Sequence, residues 1–349
     1  MHKTIKKCVK ILKLTYLWFN RILFAKNHFK VPFFTKLKAN IFGGYLADQY
    51  ILYDLKYTDK HDYLSEFDWY KSRYINEPFN KMLDNKIICT EILKHYVKVP
   101  QIYIAQSKYK LIHYNERVKT YDDIIALVIQ EKQLFIKPIS AGKGKGVYML
   151  HSENGKLYID SEPYSKEKFI LFLKNKNNEN WIITEAIQQN DFLNELYDKT
   201  TNTLRMITLK DVKTGEFKLF FAVQRIGTSK TIPVDNGSRG GLVCNIDLET
   251  GTLSEARSLH SLEVHQIHPD SKNPIKAMVI PNWSELKSQI IELANHLPFL
   301  DFIAWDVILV PDGICIIEAN ASSGVNIIQL WGGQRNGELG DFYRHHKVI

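Results

Sequence analysis

The chain has 349 residues, 45% of them apolar and 24% charged, with a formal net charge of +8. This length can bury a substantial core in two or three lobes, and the composition is that of an ordinary globular protein, which excludes a low-complexity or disordered chain. Cys8, Cys89, Cys244 and Cys315 are scattered and form no CxxC pair, so they read as thiols of a reducing compartment, the cytoplasm, and exclude a disulfide framework.

The N-terminus is distinguished by charge. No acid precedes Asp48, while Lys3, Lys6, Lys7, Lys10, Lys13, Arg21, Lys26, Lys30, Lys36 and Lys38 accumulate. The first five lysines fall at helical spacing on one face, and Ile5, Val9, Leu12, Tyr16 and Phe19 recur on another. Residues 14–25 are too short and too polar for a membrane span, and no small-residue cleavage site follows them. Residues 1–45 are therefore expected to form a basic amphipathic arm. With Trp18, Phe19 and Phe24 on it, the arm would lie at the inner face of an anionic membrane, each surface lysine adding about 1 kcal/mol. Nucleic acid could use the same charge, but the aromatic pattern favours lipid, so no nucleic-acid partner is expected. The alternative is a helix that packs its apolar stripe on the body of the protein.

Residues 46–105 read as a helical lobe: 63–74 is aromatic-rich, and 88–96 is a helix ending ahead of Val99-Pro100. From Gln101 onward strands alternate with helical stretches at 121–131, 165–174 and 283–297, so 106–349 is expected to be one α+β body. Within it, LFIKPISAGKGKGV (134–147) is an apolar strand ending on Lys137 and running into Gly142, Lys143, Gly144, Lys145 and Gly146. Glycines that expose consecutive N–H groups, interleaved with lysines, make an anion-binding loop, although neither the P-loop nor the GxGxxG spacing is present. A mobile solvated turn is the plainer alternative. NTLRMIT (202–208) and AVQRIG (222–227) read as a hairpin that sets Arg205 and Arg225 on one face, a fork suited to phosphate or carboxylate oxygens. His260, His265 and His268 lack the partners of a tetrahedral zinc site.

AWDVILVPDGICIIEAN (304–320) reads as a second hairpin around Pro311-Asp312-Gly313. Taking those three residues as the loop pairs Val310 with Ile314 and sets Asp306 opposite Glu318, with Asn320 on the same face. Two carboxylates directly across a hairpin repel, and a hard cation removes the repulsion; oxygen-only ligands suit Mg²⁺ or Mn²⁺ bound together with substrate phosphates. An exposed hairpin with acids on its wet face is the alternative.

The order strand-Lys, glycine-rich loop, strand ending in Glu, Arg-bearing strand, then Asp and Glu-x-Asn on a hairpin resembles the ATP-grasp superfamily. NTLRMIT, AVQRIG, VDNGSRGGLV (234–243) and the last hairpin are similar to its sugar-transfer-associated branch. The resemblance covers about residues 80 to 330. It implies an α+β, ATP-grasp fold with two lobes sandwiching the nucleotide behind a helical N-terminal lobe. It also implies ATP and Mg²⁺ as cofactors: Lys86, Lys137 and the Gly142–Gly146 loop on the phosphates, and Glu185, Ala186 and Ile187 at the adenine edge. Asp191, or else Glu195, would hold the ribose, and Asp306, Glu318 and Asn320 the metal. Arg205 would face the reacting phosphate with Arg225. Beside what the resemblance implies, the glycine-rich segment 235–241 with Arg239 reads either as a loop that approaches or closes over an acceptor or as a plain surface loop. The activity implied is that of an ATP-dependent carboxylate-amine ligase working through an acyl-phosphate on a cell-surface glycan precursor. A phosphotransferase of the same fold and a non-catalytic membrane scaffold remain as alternatives.

Overall fold

The computed structural model describes residues 2–108, 110–114, 118–140, 146–176 and 180–349. Its first third is helical: α1 (His2–Trp18) runs into a π-helical turn (Phe19–Leu23), followed by α2 (Phe33–Gly43), α3 (Ala47–Leu52), α4 (Glu66–Ser72), α5 (Asn80–Asp84) and α6 (Lys86–Leu93). Local capping explains the boundaries. Ser65 and Asp68 exchange side-chain and backbone bonds to open α4, and the Asn85 side chain accepts from the N–H groups of Ile87 and Ile88 to open α6.

Fourteen strands in two antiparallel sheets follow among the described residues. The first sheet holds β1 (Ile102–Ser107), β2 (Lys110–His113), β3 (Gln133–Pro138), β4 (Tyr148–Glu153), β5 (Lys156–Ile159), β6 (Glu162–Tyr164) and β7 (Trp181–Glu185), in the order β2-β1-β7-β3-β4-β5-β6. Helices α7 (Tyr121–Glu131) and α8 (Lys166–Asn175) bury Ile124, Val128, Phe169 and Leu173 against Leu134, Ile136 and Leu150 of this sheet. The second sheet holds β8 (Thr203–Lys210), β9 (Phe217–Ile226), β10 (Leu242–Ile246), β11 (Leu253–Ser258), β12 (Val264–His265), β13 (Phe302–Val310) and β14 (Gly313–Asn320), in the order β12-β11-β10-β9-β8-β13-β14. Helix α9 (Asp191–Leu196) precedes it, α10 (Trp283–Asn295) packs on it through Leu286, Ile290 and Leu293, and α11 (Val325–Ile328) and α12 (Glu338–His345) end the chain. The class is α+β, as expected.

Strand β13 explains its own apolar run: flanked by β8 and β14, all nine of its residues are buried, and Asp306 is the single charge among them. The hairpin reaches the expected pairing by a different route. Val310 pairs with Gly313 across a two-residue turn, and a bulge at Ile317 lies between Val307↔Ile316 and Asp306↔Glu318, so the register slips by one residue and is restored.

The N-terminal helix corrects an expectation. Its inner face is Leu14, Leu17 and Trp18, which pack with fully buried Ile22 onto a cluster of Leu64, Trp69, Tyr70, Ile207 and Phe302. The stripe read from the sequence points the other way: Leu12 is 68% exposed and Tyr16 67%, and Ile5, Val9 and Phe19 are exposed as well. The stripe thus does not pack on the body, while the residues just after it belong to the core. Among the described residues, no helix is long and apolar enough to cross a membrane.

Candidate active site

Register brings the charged residues together. Asp306 of β13 pairs directly with Arg205 of β8 on one side and with Glu318 of β14 on the other, while Arg225 of β9 lies opposite Thr203, two residues from Arg205 on the same face. The Arg205 guanidinium donates to both Asp306 oxygens, Nε to Oδ1 at 2.6 Å and Nη2 to Oδ2 at 3.1 Å, and Nη1 donates to the Ser323 hydroxyl at 3.2 Å. Arg225 donates to Asp306 Oδ1 at 3.3 Å and to Asp235 Oδ1 at 2.7 Å. Asp235 also accepts from the backbone N–H of Thr203 at 2.7 Å and from its hydroxyl at 2.5 Å. Burial works to raise the Asp306 pKa, but Arg205 and Arg225 outweigh it and hold the carboxyl below its usual range. For Asp235 burial wins, and its pKa lies above the ordinary value despite Arg225.

A lysine pair faces this network. Lys86, buried at the start of α6 with its backbone N–H bound to the Ile139 carbonyl, donates from Nζ to Glu318 Oε1 at 3.3 Å. Lys137 stands near the end of β3, and burial together with the like charge of Lys86 depresses its ammonium to about 8, with Glu318 offsetting part of the shift. The Asn320 Nδ2 atom is buried without a partner. The donor set fits a hard cation: the Asp306 and Glu318 carboxylates and the amide oxygen that Asn320 can offer lie on one face of the hairpin.

Apart from Ser323, these side chains line one cavity of about 990 Å³. Glu185 and Ile187, at and beyond the end of β7, line it too, and the Glu185 carboxylate accepts from the Gln101 N–H at 3.2 Å, which ties the strand end to β1. Ala186 is half-buried between them and does not line the cavity. Gly146 adopts φ +76, and a Cβ there would come within 3.0 Å of Pro138 Cγ, so the position is restricted to glycine. Pro138, Ser140 and Val147 carry both ends of the intervening loop to the cavity. Gly142, Lys143 and Gly144 lie outside the described residues.

Three expected positions sit elsewhere. Asp191 is exposed on the first turn of α9, because Asn190 takes the capping position and accepts from the Leu193 N–H; neither Asp191 nor Glu195 lines the cavity. Arg239 is exposed in the short turn Gly237–Arg239, and Asn236 and Gly237 line the cavity in its place. His268 is fully buried, with Nε2 at 2.9 Å from the Gly227 carbonyl, and no group of three His, Cys, Asp or Glu side chains is placed for a metal ion among the described residues.

The sequence reading missed other parts of the site. Asp235 was legible: a strand arginine buried beside Arg205 needs a second carboxylate, and the loop after β9 offers one acid. The contribution of the N-terminal segment was not legible. Asn20, Arg21, Phe24, Lys26 and His28 line the cavity, and Asp48 fixes the segment by accepting from the N–H of His28 at 2.9 Å and of Phe29 at 3.1 Å and by pairing with His28 Nδ1 at 2.9 Å. The His28 ring stacks on His260 with centroids 3.5 Å apart, so His260, alone of the three histidines considered, reaches the cavity.

No curated protein matches the sequence. Solved structures similar to this chain include the ATP-grasp ligase PsnB complexed with minimal precursor, Mg and ADP (11% identity, 79% of this chain and 62% of that one, TM-score 0.40). D-alanine–D-alanine ligase from Bacillus anthracis complexed with ATP is another (13% identity, 70% of this chain and 57% of that one, TM-score 0.37), as is the D-cycloserine synthetase DcsG (10% identity, 78% of this chain and 72% of that one, TM-score 0.40). The chain spans about three fifths of the length of the first two. These similarities are too distant to carry an argument about chemistry. The model of the sugar-transfer-associated ATP-grasp family matches residues 67–337, most of the sequence, and the chain belongs to that family.

Proposed function

We propose that this ATP-grasp enzyme is an ATP-dependent ligase that joins a carboxylate to an amine through an acyl-phosphate. We assign its substrate to the precursors of a cell-surface polysaccharide, handled at the cytoplasmic face of an anionic membrane. The observation that carries the reading is the convergence of Arg205, Arg225, Lys86 and Lys137 on the Asp306–Glu318 pair within one cavity.

Each residue has a role its environment supports. Lys86 and Lys137 hold phosphate oxygens, and the depressed ammonium of Lys137 gains its full charge when an anion arrives. The two arginines, already clamped on Asp306, present their remaining N–H groups to the reacting carboxylate and phosphoryl oxygens. Asp306, Glu318 and Asn320 would hold Mg²⁺ or Mn²⁺, whose chemistry is neutralisation of the phosphate charge. Glu185 and Ile187 are assigned to the adenine edge and the loop at 142–146 to exclusion of water. We place the nucleotide and metal chemistry in residues 106–349, with Lys86 reaching in from a helical lobe at 46–105 and an arm at 1–45 closing the far end.

The test is a screen for ADP release with sugar acids and amino acids, followed by mass analysis of the product. A new amide supports the ligase. A phosphoester, or no turnover with any pair while ADP still binds, contradicts it.

A further inference from the structure

Phe24 occupies two surfaces at once: it is 71% exposed, and it lines the wall of the cavity. Aromatic residues near it in the chain share its exposure, though not its place on the cavity wall. Phe19 and Tyr16 are exposed just before it, and Phe33 and Phe34, 69% and 81% exposed, follow it. Soluble chains do not ordinarily gather large aromatic side chains at a surface without a partner. The segment is also held rigidly, by Ile22 in the core on one side and by the Asp48 clamp on His28 on the other. Its charge selects the partner: ten lysines and arginines and no acid precede Asp48, which repels a second copy of this surface and attracts an anionic one.

We propose that residues 16–34 form a bilayer-docking rim, and that the cleft opens onto an anionic lipid surface and takes from it an amphiphilic acceptor. Aromatic rings beside basic side chains suit the headgroup layer, where the ring is buried and the charge stays wet. Arg21 and Lys26 line the cavity immediately inside Phe24, so a headgroup entering past that ring meets cations on the way to Asp306. The word acceptor rests on the ligase reading; the docking geometry does not.

The test uses the full chain with Cys8→Ser, the other three cysteines being buried. A fluorophore is attached through Phe24→Cys, Phe34→Cys or, as a control far along the chain, Leu171→Cys, which is 55% exposed on α8. Vesicles contain phosphatidylcholine with about one third phosphatidylglycerol, with or without brominated acyl chains. The expected result is quenching at positions 24 and 34, none at 171, and release at about 1 M salt. Lys13→Gln/Lys30→Gln/Lys38→Gln should weaken vesicle affinity on the order of a hundredfold. Phe33→Ser/Phe34→Ser should weaken it too, with affinity for a fluorescent ADP analogue unchanged. Quenching at 34 but not at 24 would overturn the proposal, since the arm would then touch lipid while the cleft faced elsewhere. Absence of vesicle binding, or dimerisation through this face instead, would overturn it as well. If the unmodified chain fails to bind the nucleotide analogue, the ligase reading falls, and the quenching pattern still decides the docking.

Discussion

Lys137 shows how a single group reports on the site. Its ammonium is depressed to about 8 by desolvation and by the like charge of Lys86, and an anion in the cavity favours its charged form. Binding of ADP should therefore take up protons, and affinity should fall as pH rises through about 8, approaching about tenfold per pH unit above it. A calorimetric titration that is flat between neutral and alkaline pH contradicts this. Lys137→Ala should weaken ADP binding more than Lys143→Ala or Lys145→Ala if, as proposed from the sequence, the loop contributes mainly backbone N–H groups; equal losses at the three positions would argue against that division. Asp235 carries a second expectation at this scale. It is the partner that neutralises buried Arg225 apart from Asp306, so Asp235→Ala should cost about 3 kcal/mol in urea denaturation, and a cost near zero would mean the guanidinium finds another acceptor.

At the scale of elements, the last hairpin was read correctly in its outcome and wrongly in its path. The pattern of alternation located both strands and the face carrying Asp306, Glu318 and Asn320. It could not reveal that the turn has two residues and that Ile317 is bulged, because a shortened turn and an added bulge leave the same pairing upstream. Deleting Ile317 should leave a regular ladder with Glu318 still opposite Asp306, so the Mg²⁺-dependent tightening of ADP binding, measured by fluorescence titration, should survive the deletion and be lost in Glu318→Ala. Retention of the Mg²⁺ effect in Glu318→Ala would show that Glu318 does not contribute. Helix α1 gives the complementary lesson. Its 3.6-residue period was legible, but Leu14, Leu17 and Trp18 are as apolar as the stripe at 5, 9, 12, 16 and 19, and only the body they meet decides which face is inside. Asp191 was misplaced for a similar reason, since acids on the first turn of a helix look alike until the cap fixes which way they point.

Across the whole molecule, the cavity draws on residues from Asn20 to Ile327, far apart in sequence, and its completeness depends on the N-terminal segment being docked. Ile22 is fully buried between α4 and the second sheet, so Ile22→Ala should cost about 2–5 kcal/mol and lower the thermal midpoint of the entire chain in one transition. A separate early transition would show that the segment unfolds independently of the body. The account as a whole rests on triphosphate chemistry at the Asp306–Glu318–Asn320 face. It is tested most directly by anomalous diffraction from a crystal of the chain with Mn²⁺ and ADP. The account predicts a manganese peak within coordination distance of those three side chains, with phosphate oxygens on Lys86 and Lys137. A nucleotide bound outside this cavity, or manganese held away from Asp306 while the Arg205 and Arg225 clamp stays closed on it, would contradict it.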